Sequence, residues 1–466
     1  MSFFTKKSFE SVKEAFNTSG LAKNLTAIDL ILLGLGGIIG TGVFALTGIV
    51  AAQYSGPAVT LSFAIAGLTC IFVALSYTEL ATMLPTSGSI YTYSYVAFGQ
   101  VAAWLVGGLI VIEFGIAASA VASSWSAYVQ GVLQAAGCGL PEYLVKPPHE
   151  GGVMNLPALL IIFAIGFMLY RGTTESKKLN SILVLIKIAA IFIFIFLAAP
   201  HFDATNWENF MPYGFDDVLR GASILFFAFG GFGVLASTAE ECKNPKKDLT
   251  IGIIGSLIGA TLVYIAVAVA LTGVVPFEDL NTAQPLAYAL HLVGSDIGSA
   301  LVATGAIAGM ATVIMINLYG LSRIFYAMAR DGLLPKSLAR LHHKYDSPYF
   351  SLLFFSVSLG LLAAFAPLQL LAKLSSMAAL TDYILITIIV MLFRFKYPNA
   401  ERTFKCPVIF LIAPIALLAS LYLLSRQIID KDGSMLLTGK LFISWFVVVF
   451  AIYCIKLVFF KNKETA

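Results

Sequence analysis

The sequence predicts an all-α polytopic membrane protein of about twelve transmembrane helices, and three observations carry that expectation. Apolar residues make up 59% of the 466 positions and charged residues only 12%, against roughly 25% charged in an ordinary soluble domain. A water-soluble chain of this length divides into domains with polar surfaces, and there are too few charges here to cover them. The apolar residues also fall in continuous runs rather than alternating ones, which excludes a strand barrel. Finally, the basic residues segregate to one side once the runs are read as helices.

A bilayer core of about 30 Å needs roughly 20 apolar residues in a helix. Runs of that kind place spans near 29–54, 56–83, 100–134, 156–171, 179–199, 215–239, 249–274, 297–329, 350–366, 370–394, 407–428 and 440–460. The fourth and ninth are short. With the N-terminus inside, 22 of the 29 Lys and Arg residues lie on inside segments and six on outside ones, with Lys187 within a span. That bias obeys the positive-inside rule and puts both termini in the cytoplasm of a bacterial inner (plasma) membrane. Residues 1–28 form a cytoplasmic tail with Lys6, Lys7, Lys13 and Lys23. Its polarity argues against a cleaved signal peptide. The five scattered cysteines offer no C-x-x-C pair and no external disulfide framework. The five histidines lie in or beside loops, so neither a metal nor any other cofactor is expected. No basic stripe with interleaved aromatics points to nucleic acid.

Glycines cluster in two spans. The first contains Gly36-Gly-Ile-Ile-Gly-Thr-Gly-Val-Phe44 and the sixth Phe226-Phe-Ala-Phe-Gly-Gly-Phe-Gly233. Each interior glycine costs a helix about 0.5–1 kcal/mol relative to alanine, so a cluster at mid-membrane depth is a place to unwind. Close helix packing is the other reading, since Gly36-x-x-x-Gly40 matches a small-x-x-x-small pattern. Spacing favours the break. Spans 1–5 cover 29–199 and spans 6–10 cover 215–394, two blocks of similar length, each opened by a glycine cluster. An odd number of spans per block inverts the second against the first, and paired interrupted helices in inverted halves point to a transporter binding site. The last two spans and a short tail occupy 395–466. At such a break, the amides of Gly40 and Gly42 with the Thr41 hydroxyl suit a carboxylate. The carbonyls of Ile38 and Ile39, with those of Ala228, Phe229 and Gly230, suit an ammonium. An α-amino acid carries both.

At these residues the chain resembles the amino acid–polyamine–organocation superfamily, especially its cationic amino acid transporter branch. The likeness covers most of the chain and includes Ile112-Glu-Phe-Gly-Ile-Ala-Ala-Ser-Ala-Val-Ala122, Ala239-Glu-Glu-Cys-Lys-Asn-Pro245 and Arg323-Ile-Phe-Tyr-Ala-Met-Ala-Arg-Asp-Gly-Leu-Leu-Pro335. The resemblance implies a five-plus-five inverted-repeat fold with two extra helices, alternating access and secondary transport of L-amino acids. Its carboxylate motif falls on Gly40, Thr41 and Gly42, and its ammonium-binding carbonyls near Ile38 and Ala228 to Gly230. Its aromatic gate falls on Phe227, with Phe226 and Phe229 one register away.

Lys187, in the fifth span, needs a reason, because a charge at that depth costs about 2.5–3.5 kcal/mol on insertion scales. One reading is a lysine that snorkels to the cytosolic surface. The other is a proton-coupling group, and the resemblance supports it, since proton-coupled relatives place a lysine on this span next to the first helix. Glu113, near the midplane of the third span, is a proton relay, a contact for a basic side chain or a structural partner of a backbone donor. Asp382, in Ala379-Leu-Thr-Asp-Tyr383, lies on the possible pathway or is a polar group capped by Thr381 or Tyr383. Glu79, Glu240 and Glu241 sit at helix ends and read as charge partners of basic loops. The branch commonly has an acid where this chain has Gly233, which favours a neutral, small to medium substrate; Met315 and Leu318 on the eighth span would narrow its pocket. The expectation is an amino acid–proton symporter. A proton-independent exchanger of amino acids or polyamines, or uptake of cationic amino acids, is the alternative. A signalling receptor is disfavoured by short tails, and an enzyme by the lack of any catalytic set in the membrane region.

Overall fold

The computed structural model describes residues 6–12, 25–86, 88–171, 173–239, 242–343, 345, 347–430 and 432–461. Glu240 and Glu241 lie outside this set. Nine helical segments among the described residues are long and apolar enough to cross a membrane, and three shorter apolar helices, Ala27–Ile38, Leu156–Tyr170 and Tyr349–Phe365, accompany them. The chain is thus an all-α multi-pass membrane protein. The short fourth and ninth spans pack against each other, so each is shielded along much of its length.

Local chemistry sets where the helices begin. Thr26 and Asp29 form a capping box at the start of the first span: the Thr26 amide donates to Asp29 Oδ2 at 2.8 Å and the Asp29 amide to Thr26 Oγ1 at 3.4 Å, satisfying donors that the first turn leaves free. Asn155 caps the fourth span, accepting from the Ala158 amide at 3.2 Å with Pro157 in the first turn.

Both glycine-rich spans are interrupted. The first runs as a helix over Ala27–Ile38, turns extended at Ile39 (φ −77°, ψ 108°), and resumes through a π-helical turn at Gly42–Leu46. The sixth runs over Phe215–Leu225, tightens to a 3₁₀ turn at Phe226–Phe229, and restarts at Phe232 after Gly231 with φ +101°. Glycine serves two ends at once. A Cβ on Gly42 would fall 2.2 Å from the Ala228 Cβ, and one on Gly231 would fall 2.8 Å from the Gly37 carbonyl oxygen. The two interruptions touch each other through backbone, which no larger residue permits.

Two short helices, Ser89–Phe98 after the second span and Pro285–Leu292 after the seventh, were not expected from hydropathy. Spans 1, 2, 6 and 7 pack together, and spans 3, 4, 8 and 9 form a second group, with span 5 against the eighth and span 10 against the third and eleventh.

On the face that carries the N-terminal residues, Glu79 is 1% exposed and accepts from Arg394 Nε at 2.6 Å, from Arg402 Nε at 3.0 Å and from the Cys406 amide at 2.9 Å. The same face is covered by residues 6–12. Lys7 pairs with Asp331 at 2.9 Å, Tyr91 donates to the same carboxylate at 3.0 Å, and Phe9 stacks on Tyr397 at 4.7 Å between ring centroids. Removing one member of a buried ion pair strands the other charge, at about 3–5 kcal/mol. Glu79→Gln is therefore expected to lower the thermal midpoint of the purified protein markedly, whereas Glu142→Gln on the exposed opposite loop should leave it in place; equal midpoints for wild type and Glu79→Gln would show that the clamp carries no stability.

Candidate functional site

The interruption of span 1 leaves two sets of free backbone groups facing opposite ways. Carbonyls at the end of the first half-helix have lost their acceptor-to-donor partners further along the chain, and amides at the start of the second have no preceding turn. The carbonyls are taken up by side chains of neighbouring spans. Lys187, 0% exposed, donates to the carbonyls of Gly36 (2.8 Å) and Ile39 (2.7 Å) and to Thr312 Oγ1 (3.0 Å). All three ammonium hydrogens are thus used, and no carboxylate pairs with it among the described residues. The lysine points into the break rather than snorkelling to the surface. Tyr264 of span 7 places its hydroxyl 2.7 Å from the Ile38 carbonyl and 2.8 Å from the Ala228 carbonyl, so a single phenol stitches the two interruptions together.

Several carbonyls of the expected ammonium set already have donors within the protein. Ile38, Ile39 and Ala228 present carbonyls already engaged by Tyr264 and Lys187. Ile39 and Ala228 do not line the pocket between the breaks, because their carbonyls turn away toward those donors. Phe229 is not there either: its ring packs against Phe63 and Tyr264, at 6.4 and 5.3 Å between centroids. Phe227 faces the pocket, while Phe226 turns onto Tyr383.

The pocket itself is a narrow, enclosed slit between spans 1, 3, 6, 8 and 10. Gly37, Ile38, Gly40, Thr41 and Gly42 form one wall, with Phe227, Gly230 and Gly231 beside them; Ala117, Val121, Val313 and Ala379 supply apolar surface, and Glu113, Asn317 and Ser375 polar groups. The Thr41 hydroxyl is buried without a hydrogen-bond partner. The amides of Thr41 and Gly42 lie in a first helical turn, where the helix dipole adds partial positive charge. The chemistry on this wall is that of an anion receptor.

Span 8 meets the slit through Val313 and Asn317, which share a face four residues apart, whereas Met315 and Leu318 lie about 200° and 140° round the helix from Val313 and are absent from the lining. Their expected role is corrected accordingly. The contribution of span 10 went unforeseen, because Ser375 and Ala379 are too ordinary to stand out in an apolar run. Tyr264 escaped for the same reason; a lone tyrosine within span 7 carries no pattern.

Glu113 sits in a π-helical turn at Val111–Ile116, a local widening frequent at functional positions. It is 3% exposed, its Oε2 has no partner, and its main-chain carbonyl accepts from Ser375 at 2.9 Å. Asp382 is 1% exposed and outside the slit lining, with Oδ1 unpartnered. Neither proposed cap reaches it: Thr381 donates to the Met377 carbonyl at 2.8 Å, and the Tyr383 hydroxyl has no partner. Gly233 stands with Tyr77 and Phe114 as neighbours.

On the face opposite the N-terminal residues a wide vestibule opens above the slit, lined by Gln130, Gln284, Gln369, Lys373 and others. Lys373 also lines a small cavity adjoining the vestibule with Tyr54, whose hydroxyl accepts from it at 3.3 Å.

Because a methyl group on Gly42 would collide with Ala228, Gly42→Ala is expected to push the two interruptions apart and abolish ligand-induced thermal stabilisation, while Gly137→Ala in an open loop should not; retained stabilisation in Gly42→Ala would show that contact between the breaks is dispensable.

Comparison with known proteins agrees with this architecture. The family described as amino acid permease matches residues 25–454. The chain is 42% identical over 433 residues to the branched-chain amino acid permease BcaP of Bacillus subtilis (strain 168), covering 91% of this chain and 92% of that protein. It is 40% identical over 408 residues to the methylthioribose transporter of the same organism, covering 87% and 88%. It is 39% identical over 335 residues to cationic amino acid transporter 9, chloroplastic, of Arabidopsis thaliana, covering 70% and 59%. The chain belongs to the amino acid permease family and is a membrane transporter rather than an enzyme.

Proposed function

We propose that this protein is a secondary active transporter of neutral, small to medium L-amino acids, driven by proton symport and working by alternating access in the plasma membrane. The carrying observation is the slit wall at Gly40, Thr41 and Gly42, where first-turn amides and an unpartnered hydroxyl meet a pocket closed on its far side by apolar Ala117, Val121, Val313 and Ala379. A carboxylate docks on the amides. The ammonium lies toward the main chain of Phe227 to Gly231, and an aliphatic side chain meets the apolar wall. Similarity to a branched-chain amino acid permease points the same way. The distribution of basic residues supports a cytoplasmic N-terminal face; in this reading the vestibule is the external approach and substrate enters past Lys373.

Lys187 suits proton coupling for a geometric reason. Its ammonium ties span 1, through Gly36 and Ile39, to Thr312 of span 8. Losing the proton removes one of its three donors, so the tie between the interrupted helix and its neighbour weakens as the proton leaves. Protonation state and helix position are thereby linked. Exchange without protons remains the competing mechanism, and uptake into liposomes with and without an imposed pH gradient separates the two. Lys187→Ala is expected to fold and to lose gradient-driven uptake; uptake that still follows the gradient in this variant would remove the lysine from coupling.

A second reading, transport of cationic amino acids, is favoured by Glu113, whose free carboxylate oxygen lines the slit. Thermal-shift measurement of the purified protein against the common L-amino acids and methylthioribose tests the assignment, since a ligand stabilises the state it binds. Stabilisation by leucine, isoleucine or valine supports it; stabilisation by arginine or lysine alone selects the second reading. A response to methylthioribose alone, which has neither charged end of a zwitterion, sinks both.

A further inference from the structure

Buried polar atoms without partners are rare in folded proteins, and each one asks for an explanation. Between the slit and the N-terminal face this chain gathers several: Glu113 Oε2, Asp382 Oδ1, Tyr383 Oη, Tyr93 Oη and Ser76 Oγ, all buried. They come from spans 2, 3 and 10 and from the short helix Ser89–Phe98. Their depth is ordered. Glu113 lies thirteen residues from the start of span 3 at Gln100, and Asp382 fourteen residues from the end of span 10 at Lys396. At 1.5 Å per residue both sit about 20 Å from the same face, Glu113 beside the slit and Asp382 on span 10, which packs against the Val111–Ile116 turn and reaches the Glu113 carbonyl through Ser375. Tyr77 packs on Phe232, which packs in turn on Tyr383 beside Asp382, and shares the neighbourhood of Gly233 with Phe114 beside Glu113; its hydroxyl meets Ser89 Oγ at 2.6 Å, nearer that face.

No cation faces this pair among the described residues. Span 6 offers Phe232 and Gly233, span 2 offers Tyr77 and Cys70, the short helix offers Tyr93, and span 10 itself offers Tyr383. Arg394 and Arg402 are held by Glu79 at the membrane face, and Lys187 is spent on the carbonyls of span 1. Two bare carboxylates here would repel one another and forgo hydration with nothing in return. Neither carboxyl is needed to hold a helix in place: the fold satisfies neither.

We propose that Glu113 and Asp382 form a proton-binding pair separate from Lys187, loaded from and emptied to the N-terminal face along Tyr77 and Ser89, whose occupancy sets how tightly the slit holds its substrate. The step is simple in its balance. Hydronium gives a proton to one carboxylate oxygen, an O–H bond forms, and the same bond breaks when the proton returns to water. Glu113 borders the slit directly, so the charge beside the substrate changes with this proton. The negative charge absent at Gly233 is in this way carried by a pair whose charge is variable.

The proposal rests on the slit being the substrate site but not on any role for Lys187. Its test is the number of protons exchanged when L-leucine or L-arginine binds the full-length protein, read by calorimetry in buffers of different ionisation enthalpy from pH 5 to 9. Wild type, Asp382→Asn, Glu113→Gln and Lys187→Ala are compared. The expected result is that Asp382→Asn and Glu113→Gln each lose a pH-dependent step that Lys187→Ala retains. An unchanged proton count and pH profile in both carboxyl variants overturns the proposal. So does loss of L-arginine binding with an unaltered L-leucine profile, which would make the pair a cation subsite. Infrared difference spectra of the wild type across the same pH range give a second readout that needs neither variant to fold nor either amino acid to bind. A carboxylic-acid C=O band that appears and bleaches with pH, and is missing or shifted in Asp382→Asn where that variant folds, supports the pair; no such band overturns it. If neither amino acid binds, the transport reading fails, while the infrared result still decides the carboxyls.

Discussion

Every backbone group released from a helix inside a bilayer must find a partner within the protein, because hydrocarbon offers none. The interruption at Ile39–Gly40 releases groups of both kinds, and the protein treats the two unequally. The carbonyls of Gly36, Ile38 and Ile39 are covered by Lys187 and Tyr264. The amides that follow, with the Thr41 hydroxyl, look into the slit. A break that costs the fold its helix is therefore stabilised at one end by the protein and at the other presents donors to a ligand. That asymmetry leaves donors rather than acceptors on the first-span side of the slit, which is what the proposed carboxylate site requires.

Contact between the two breaks extends this constraint. Gly42 packs on Ala228 and Gly231 on Gly37, and Tyr264 reaches carbonyls in both spans. Spans 1 and 6 thus meet as one unit at mid-depth, so a displacement of one carries the other. Spans 3, 8 and 10 supply the remaining walls, and Lys187 with Thr312 joins the interrupted first span to that framework through hydrogen bonds. Closure of the N-terminal face has a different origin. It rests on ion pairs and ring stacking at Asp331, Glu79 and Phe9.

Composition, hydropathy and the glycine runs were enough for the class of fold and the location of both interruptions. Those features are local: a helix must be apolar over its own length, and glycine weakens the helix that contains it. That Gly40, Thr41, Gly42 and Phe227 would lie beside the interruptions was legible for the same reason, since the glycine runs mark where each helix breaks. The depth of Lys187 could be read, but not its partners.

What only the tertiary structure decided is which groups face which. The occupied carbonyls of Ile38, Ile39 and Ala228, the turning of Phe229 away from the slit, and the choice of Val313 and Asn317 over Met315 and Leu318 all depend on the rotation of one helix against another. Hydropathy carries no information about that rotation when every side of a span is apolar. Tyr264, Ser375 and the company kept by Asp382 belong to the same class. Their meaning comes from atoms far away in sequence, brought within about 3 Å only by packing.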